Sequence, residues 1–258
     1  MLRKRLIGVV TVRSGLAVQS IGYQRYLPLG KAEYLIENLD RWGVDEILIQ
    51  VIDRTTNGLG PDMELLAAVA TMHISTPLSY AGGIRNAFDA AAVIQAGVER
   101  ICVDGLIYSK PEELRAISRK VGAQALIISM PVMVQDNELY RYDYLSRKSL
   151  PMTQEFTALC QGDDISEILL TDVVNEGSTQ AFNAELVGLA SRLEVPLIVF
   201  GGITHDKQCA DLLSRSEVVA VAVGNSLNYK EHAVQTLKDK LNFPLRPSAY
   251  RTGTGGWL

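Results

Sequence analysis

Ala81-Gly82-Gly83-Ile84 recurs as Phe200-Gly201-Gly202-Ile203, with the first glycines of the two pairs 119 residues apart. The chain repeats in register around this pair. Asp45-Glu46-Ile47-Leu48-Ile49 is echoed 121 residues on by Ser166-Glu167-Ile168-Leu169-Leu170, and Arg100–Gly105 is echoed 119 residues on by Val219–Gly224. Three echoes, in order and at nearly one period, mark a unit of half the chain used twice.

Within each unit, short β-branched runs alternate with helical periodicity. Strands are expected at Leu6–Val12, Glu46–Ile52, Thr76–Tyr80, Arg100–Asp104, Gln124–Met130, Glu167–Asp172, Val195–Phe200 and Val218–Val223. Helices are expected at Lys31–Trp42, Asp62–Met72, Ala87–Ala96, Pro111–Lys120, Met152–Cys160, Ala184–Leu193, Asp206–Ser214 and Lys230–Leu241. Such alternation indicates βαβ units and a parallel sheet. An open doubly wound sheet would also show it. Two equal four-strand halves make eight, however, and 258 residues match the roughly 250 of a (β/α)8 barrel. The expected architecture is a single (β/α)8 TIM barrel built from two half-barrel repeats, over residues 1–243, with a Gly-, Pro- and Thr-rich tail over 244–258.

The hydrophobic fraction of 47% supplies a sizeable core, and the net charge of −4 gives no electrostatic case for nucleic acid or an anionic membrane. No apolar run approaches the roughly 18 residues of a membrane span. The basic start, Lys4-Arg5, leads into a stretch broken by Thr11 and Arg13, which is too short and polar for a signal peptide. Cys102, Cys160 and Cys209 lie far apart without metal-type spacing, as do His73, His205 and His232. Reduced thiols, a cytoplasmic location, no metal and no cofactor are expected.

Each Gly-Gly follows a strand, the third or the seventh, and precedes a helix. Glycine lets backbone N–H groups approach a ligand closely, and a helix N-terminus favours an anion. Gly201-Gly202 with Gly224-Asn225, after strands seven and eight, match the usual phosphate position of such barrels. By symmetry Gly82-Gly83 with Asp104-Gly105 form a second candidate. The competing interpretation is that these glycines only make tight turns. At the opposite end, Arg5, Glu46, Arg100 and Glu167 start strands one, two, four and six. They are expected either to pair in a ring or to face solvent separately.

Lys4-Arg5-x-Ile7 after Met1-Leu2, Asp45-Glu46, Ala81–Ile84, Glu167–Thr171 and Gly177 together resemble HisF, the cyclase subunit of imidazole glycerol phosphate synthase, over roughly residues 1–242. The resemblance implies a barrel docked on a glutaminase (HisH-like). Ammonia would enter at the bottom, pass a ring of four charges at Arg5, Glu46, Arg100 and Glu167, and react at the top. It also implies phosphate contacts at both glycine turns. The two aspartates that the family uses as general acid and base fall on Thr11 and Pro131, which cannot shuttle protons near neutrality. The family's loop lysine is Gln19, and its strand-two aspartate is Val51, with Asp53 two residues on.

Tyr23–Gly30, Asp40-Arg41-Trp42-Gly43 and Asn228–His232 resemble a branch of the family that serves surface-polysaccharide (lipopolysaccharide) synthesis. That branch works with a glutaminase and a third, activating enzyme to convert acetamido to acetamidino sugars. The resemblance therefore implies a phosphorylated or nucleotide-linked sugar as substrate. Two alternatives are a histidine-pathway cyclase with relocated acids and a non-catalytic ammonia conduit. Asp53, Asp104, Asp172 and Glu176 are candidate acids at the mouth, and Asp104, Asp172 and Glu176 are the catalytic candidates.

Overall fold

Eight strands are apolar on both faces, as parallel strands must be when helices cover one side and opposite strands the other. They are β1 (Arg5–Arg13), β2 (Glu46–Val51), β3 (Leu78–Ala81), β4 (Arg100–Val103), β5 (Leu126–Gln135), β6 (Glu167–Asp172), β7 (Leu197–Phe200) and β8 (Val218–Val223). The computed structural model describes residues 3–228, 232–241, 243 and 245. In it each strand pairs in parallel with the next, and β8 pairs with β1, Arg5 opposite Ala220. The sheet is closed, which excludes the open doubly wound alternative. Outside it lie α1 (Ala32–Trp42), α2 (Met63–Ala70), α3 (Ala87–Gln95), α4 (Pro111–Val121), α5 (Gln154–Cys160), α6 (Glu185–Ala190), α7 (Asp206–Leu213) and α8 (Ala233–Lys240). The fold is a single (β/α)8 barrel.

Local chemistry sets the helix starts. The Asn86 side chain accepts the N–H groups of Phe88 and Asp89, Asp62 accepts that of Leu65, and Thr153 accepts that of Phe156. Pro111 opens α4, where its missing N–H costs nothing.

Alternation along the strands separates two cores. Leu6, Val10, Ile47, Ile49, Ile101 and their like pack outward against the helices. Ile7, Val9, Leu48, Ala81, Cys102, Ile127, Leu169, Ile198, Phe200, Ala220 and Ala222 form a separate apolar cluster inside the barrel. Continuing the same alternation puts Arg5, Glu46, Arg100 and Glu167 at the bottom of the interior and Thr11 and Pro131 toward its top.

Two excursions were not expected from the sequence. A hairpin of Leu16–Ile21 and Arg25–Gly30 leaves β1. Strand β5 runs on past Met130 into an antiparallel meander with Glu138–Asp143 and Lys148–Pro151. Pro131 does not end β5, because β4 pairs with it only as far as Ile128 and a missing N–H is tolerated beyond that point. The expected tail from Pro244 on lies, apart from Leu245, outside the described residues. So do Met1, Leu2 and Tyr229-Lys230-Glu231.

Candidate active site

At the bottom of the barrel the four expected charges pair in a closed ring. Arg5 lies 3.3 Å from Glu46 and 2.5 Å from Glu167, and Arg100 lies 3.4 Å from Glu46 and 2.8 Å from Glu167. Each carboxylate thus sits between two guanidiniums. Charges this far from water persist only when paired and further hydrogen-bonded. The further bonds come from Ser79, whose hydroxyl donates to Glu46, and from Ser166, whose hydroxyl accepts from Arg100 at 3.0 Å. The solvent-facing alternative is excluded. Directly above the ring is a small cavity with room for about one water-sized molecule, lined by Ile7, Glu46, Leu48, Ser79, Cys102, Ile127, Leu169 and Ile198.

Higher in the interior, Thr11 is in register with Gln50 and Pro131 with Thr171. The Thr171 hydroxyl is buried and has no hydrogen-bond partner among the described residues. Tyr23, at the tip of the β1 hairpin, packs onto the interior cluster and donates its hydroxyl to Gln50 Oε1 at 3.3 Å. Burial, and then the nearby Glu176, push the Tyr23 phenol well above its ordinary range.

The hairpin is held from below. Glu176 Oε2 accepts the Ser20 hydroxyl and the Tyr23 backbone N–H, each at 3.0 Å, and the Gly22 N–H donates to the Glu176 carbonyl at 2.9 Å. Gly177 lets the hairpin come this close: its φ is +66°, and a Cβ there would lie 2.0 Å from the Ser20 carbonyl oxygen. Burial raises the Glu176 carboxyl above its ordinary value, against three hydrogen bonds that pull it down. Asn225 is bound up in the same contact and donates to Ser20 O at 2.6 Å. Asp53 accepts the Ser14 N–H at 2.7 Å, at the hairpin's root.

The two glycine turns are conformational copies. Gly82 and Gly83 have φ of +132° and +69°, and Gly201 and Gly202 have +105° and +71°. A Cβ on Gly82 would meet Val51 O at 2.3 Å, and one on Gly201 would meet Asp172 O at 2.6 Å. On Gly83 it would meet Gly60 O at 2.6 Å, and on Gly202 Gln180 O at 2.5 Å. Each pair is therefore glycine because the preceding loop packs against its backbone. The repeat seen in the sequence is kept down to these contacts.

The catalytic candidates differ sharply. Asp172 is buried and accepts the N–H groups of Val174 (3.1 Å), Asn175 (3.1 Å) and Asn183 (2.9 Å) and the Asn175 side-chain amide (2.7 Å). Its carboxylate is fully committed to shaping the loop after β6. Asp104 is half-buried; it accepts the Tyr144 hydroxyl at 2.5 Å and the Gly105 N–H. Burial pushes its carboxyl up, and those two donors pull it down. Tyr144, carried by the unexpected meander, and Tyr23, at the tip of the unexpected hairpin, were missed in the sequence. The two-residue turns Ser14-Gly15 and Asp136-Asn137, each with positive φ at both residues, were the available signals. Among the described residues no cluster of three His, Cys, Asp or Glu side chains could hold a metal, and no helix is long and apolar enough to cross a membrane.

The sequence matches the family model described as histidine biosynthesis protein over residues 5–233. It is 26% identical over 243 residues to a Vibrio vulnificus (strain YJ016) protein provisionally described as imidazole glycerol phosphate synthase subunit hisF2, covering 93% of this chain and 89% of that one. It is 27% identical over 253 residues to the imidazole glycerol phosphate synthase subunit HisF of Acidobacterium capsulatum, covering 95% and 99%. It is 26% identical over 245 residues to the HisF of Staphylococcus epidermidis (strain ATCC 35984), covering 93% and 97%. With the closed barrel, the paired ring and the twin glycine turns, these matches identify the chain as a HisF-like member of the histidine biosynthesis protein family.

Proposed function

We propose that this chain is the synthase-like subunit of a glutamine amidotransferase, receiving ammonia from a glutaminase (HisH-like) partner at the bottom of the barrel and using it at the mouth. The observation that carries this reading is the closed ring of Arg5, Glu46, Arg100 and Glu167 beneath an apolar interior. Paired charges hold out ions and bulk water, and the one-molecule cavity above them has the size of ammonia. Thr171 offers a free hydroxyl further along the path.

The substrate is a phosphorylated or nucleotide-linked acetamido sugar, and the product its acetamidino counterpart in surface-polysaccharide synthesis. Ammonia adds to an amide carbon whose oxygen a third enzyme has activated. The tetrahedral centre loses a proton and expels the activated oxygen, which leaves the amidine. This step needs donors for a developing oxyanion more than a general acid and base. Thr11 and Pro131 are therefore tolerable at the positions where the family carries aspartates. The phosphate binds at Gly201-Gly202 and Gly224, where the Gly202 N–H has no acceptor from a loop, cap or side chain among the described residues. The names of the relatives favour a second reading, the cyclase of histidine biosynthesis.

Purified chain and glutaminase, given glutamine labelled in the amide nitrogen, distinguish the two readings. Label should enter an activated acetamido sugar, and no imidazole should form from the histidine-pathway intermediate. Imidazole formation would overturn the reading in favour of the cyclase. Label remaining as free ammonium with both substrates would leave a conduit.

A further inference from the structure

We propose that the first glycine turn is an anion subsite filled by the protein's own Asp104 carboxylate, so that the ligand brings one phosphate, to the second turn, and presents uncharged hydroxyl or amide groups to the first. This rests on the phosphate reading of Gly201-Gly202 given above. Strands β3 and β4 pair Ala81 with Cys102, so Gly82-Gly83 and Asp104-Gly105 leave neighbouring strands side by side. Two of the N–H groups at this turn are already used. Gly83 N–H donates to Thr55 Oγ1 at 3.1 Å, and Gly105 N–H donates to Asp104 Oδ1. Tyr144 joins them, donating to Asp104 Oδ2 at 2.5 Å. The Gly83 N–H is thus capped by Thr55, and the Asp104 carboxylate by Tyr144 and Gly105.

The nearby cations are also used. Arg54 is spent on the carbonyls of Gly60 at 2.6 Å and Pro61 at 2.9 Å, and Arg85 on Asp89 at 2.8 Å. A phosphate arriving here would meet a carboxylate of its own sign, and neither the Gly83 nor the Gly105 N–H would be free to receive it. At the second turn the Gly202 N–H, equivalent to that of Gly83, has no such acceptor among the described residues. By the 119-residue repeat the position of Asp104 is Val223 there, which carries no charge. A carboxylate offers about four acceptor positions. Tyr144 and Gly105 take two, and the remainder suit the hydroxyl and amide donors of a sugar.

Crystals soaked in inorganic phosphate test the proposal, alongside binding titrations of phosphate and of N-acetylglucosamine phosphate. Phosphate should occupy the second turn alone. Asp104→Asn, which keeps the shape but removes the charge, should admit phosphate at the first turn. It should also weaken N-acetylglucosamine phosphate by about tenfold, the loss expected for one hydrogen bond to a charged acceptor, while phosphate at the second turn binds as before. Tyr144→Phe keeps the charge and should still exclude phosphate from the first turn, which separates charge from disturbed packing. Phosphate at the first turn of the wild-type protein, or sugar-phosphate affinity unchanged in Asp104→Asn, would overturn the proposal and leave the second-turn reading standing. Phosphate at neither turn would overturn that reading and the proposal with it.

Discussion

The backbone N–H of Tyr23 donates to Glu176 Oε2 at 3.0 Å and so joins the hairpin after β1 to the loop after β6 across the barrel mouth. With the Ser20 hydroxyl on the same oxygen, one carboxylate fixes a tip whose tyrosine covers the interior cluster. Glu176→Ala leaves two donors without an acceptor and should cost about 1–3 kcal/mol. The loss should be concentrated in the hairpin. Amide hydrogen exchange should speed up over residues 20–24 and stay unchanged in β2 and β7. Equal acceleration throughout the barrel would show that Glu176 does not act as a latch.

The same carboxyl sets a pH dependence. Its folded pKa lies above the ordinary 4.5 because burial disfavours the charge. A raised carboxyl contributes stability that is full below pH 4.5 and is lost as pH rises through the folded value. Glu176→Gln cannot titrate. Urea unfolding should therefore show this variant gaining on the wild type as pH rises from 4.5 toward neutrality. Asp104, raised in the same direction, and Asp40 and Asp89, lowered, are present in both proteins and cancel in the comparison. A difference that is flat across that range would contradict the assignment.

Glycine substitutions separate packing from ligand binding. At Gly202, alanine must adopt φ of +71° and place its Cβ 2.5 Å from Gln180 O. The left-handed backbone costs about 1–3 kcal/mol, and displacing the loop a similar amount. Gly105 has φ of −58° and open space around a new Cβ. Gly105→Ala should be neutral or stabilising by up to about 1 kcal/mol. Thermal melts of the two variants should differ by many degrees.

The barrel was legible because its eight strands are nearly continuous apolar runs and because the repeat lies on the surface of the sequence itself. The charged ring was legible for the opposite reason, since Arg5, Glu46, Arg100 and Glu167 each interrupt the start of such a run. The β1 hairpin was not. Arg25–Gly30 is largely exposed, so no core face imposes a period on it, and its only advertisement is Ser14-Gly15. Nor could the sequence tell Asp172 from Asp104. Both end a strand, but Asp172 is enclosed by its own loop while Asp104 meets a tyrosine from a meander 40 residues away. Which donors reach a carboxylate is a tertiary fact. The same holds for Asn225, whose amide holds the hairpin.

Histidine-pathway cyclisation should fail with the wild-type chain even in saturating ammonium. Thr11 and Pro131 face the upper interior without a titratable group, and positioned proton transfer is worth roughly 10²–10⁴-fold in rate. Product detected by its imidazole absorbance, at a rate near that of a HisF enzyme, would contradict this. Thr11→Asp combined with Pro131→Asp supplies both groups, and any gain in cyclisation should require the pair.

Arg100 bridges Glu46 and Glu167, so its removal should be felt in two measurements at once. Arg100→Ala leaves Arg5 alone to balance two buried carboxylates. Breaking a buried pair from one side typically costs about 3–5 kcal/mol. The Arg100 side chain keeps 15% of its exposure, so water screens part of the pairing and the lower end, about 3 kcal/mol, is expected. Chemical denaturation measures that loss. The second effect concerns delivery. If the ring is the proposed ammonia entrance, removing one guanidinium opens a gap to water and ions below the small cavity. Glutamine hydrolysed per product formed should rise above one when the chain is assayed with the proposed glutaminase. Product formation from free ammonium should stay within a few-fold of wild type, because ammonium supplied in excess does not depend on a sealed entrance. Arg100→Lys retains the charge without the two-pronged fork, and should recover much of the stability but less of the coupling. A stability loss without a change in stoichiometry would make the ring a structural clamp only, and an unchanged melting temperature would contradict the buried pairing itself.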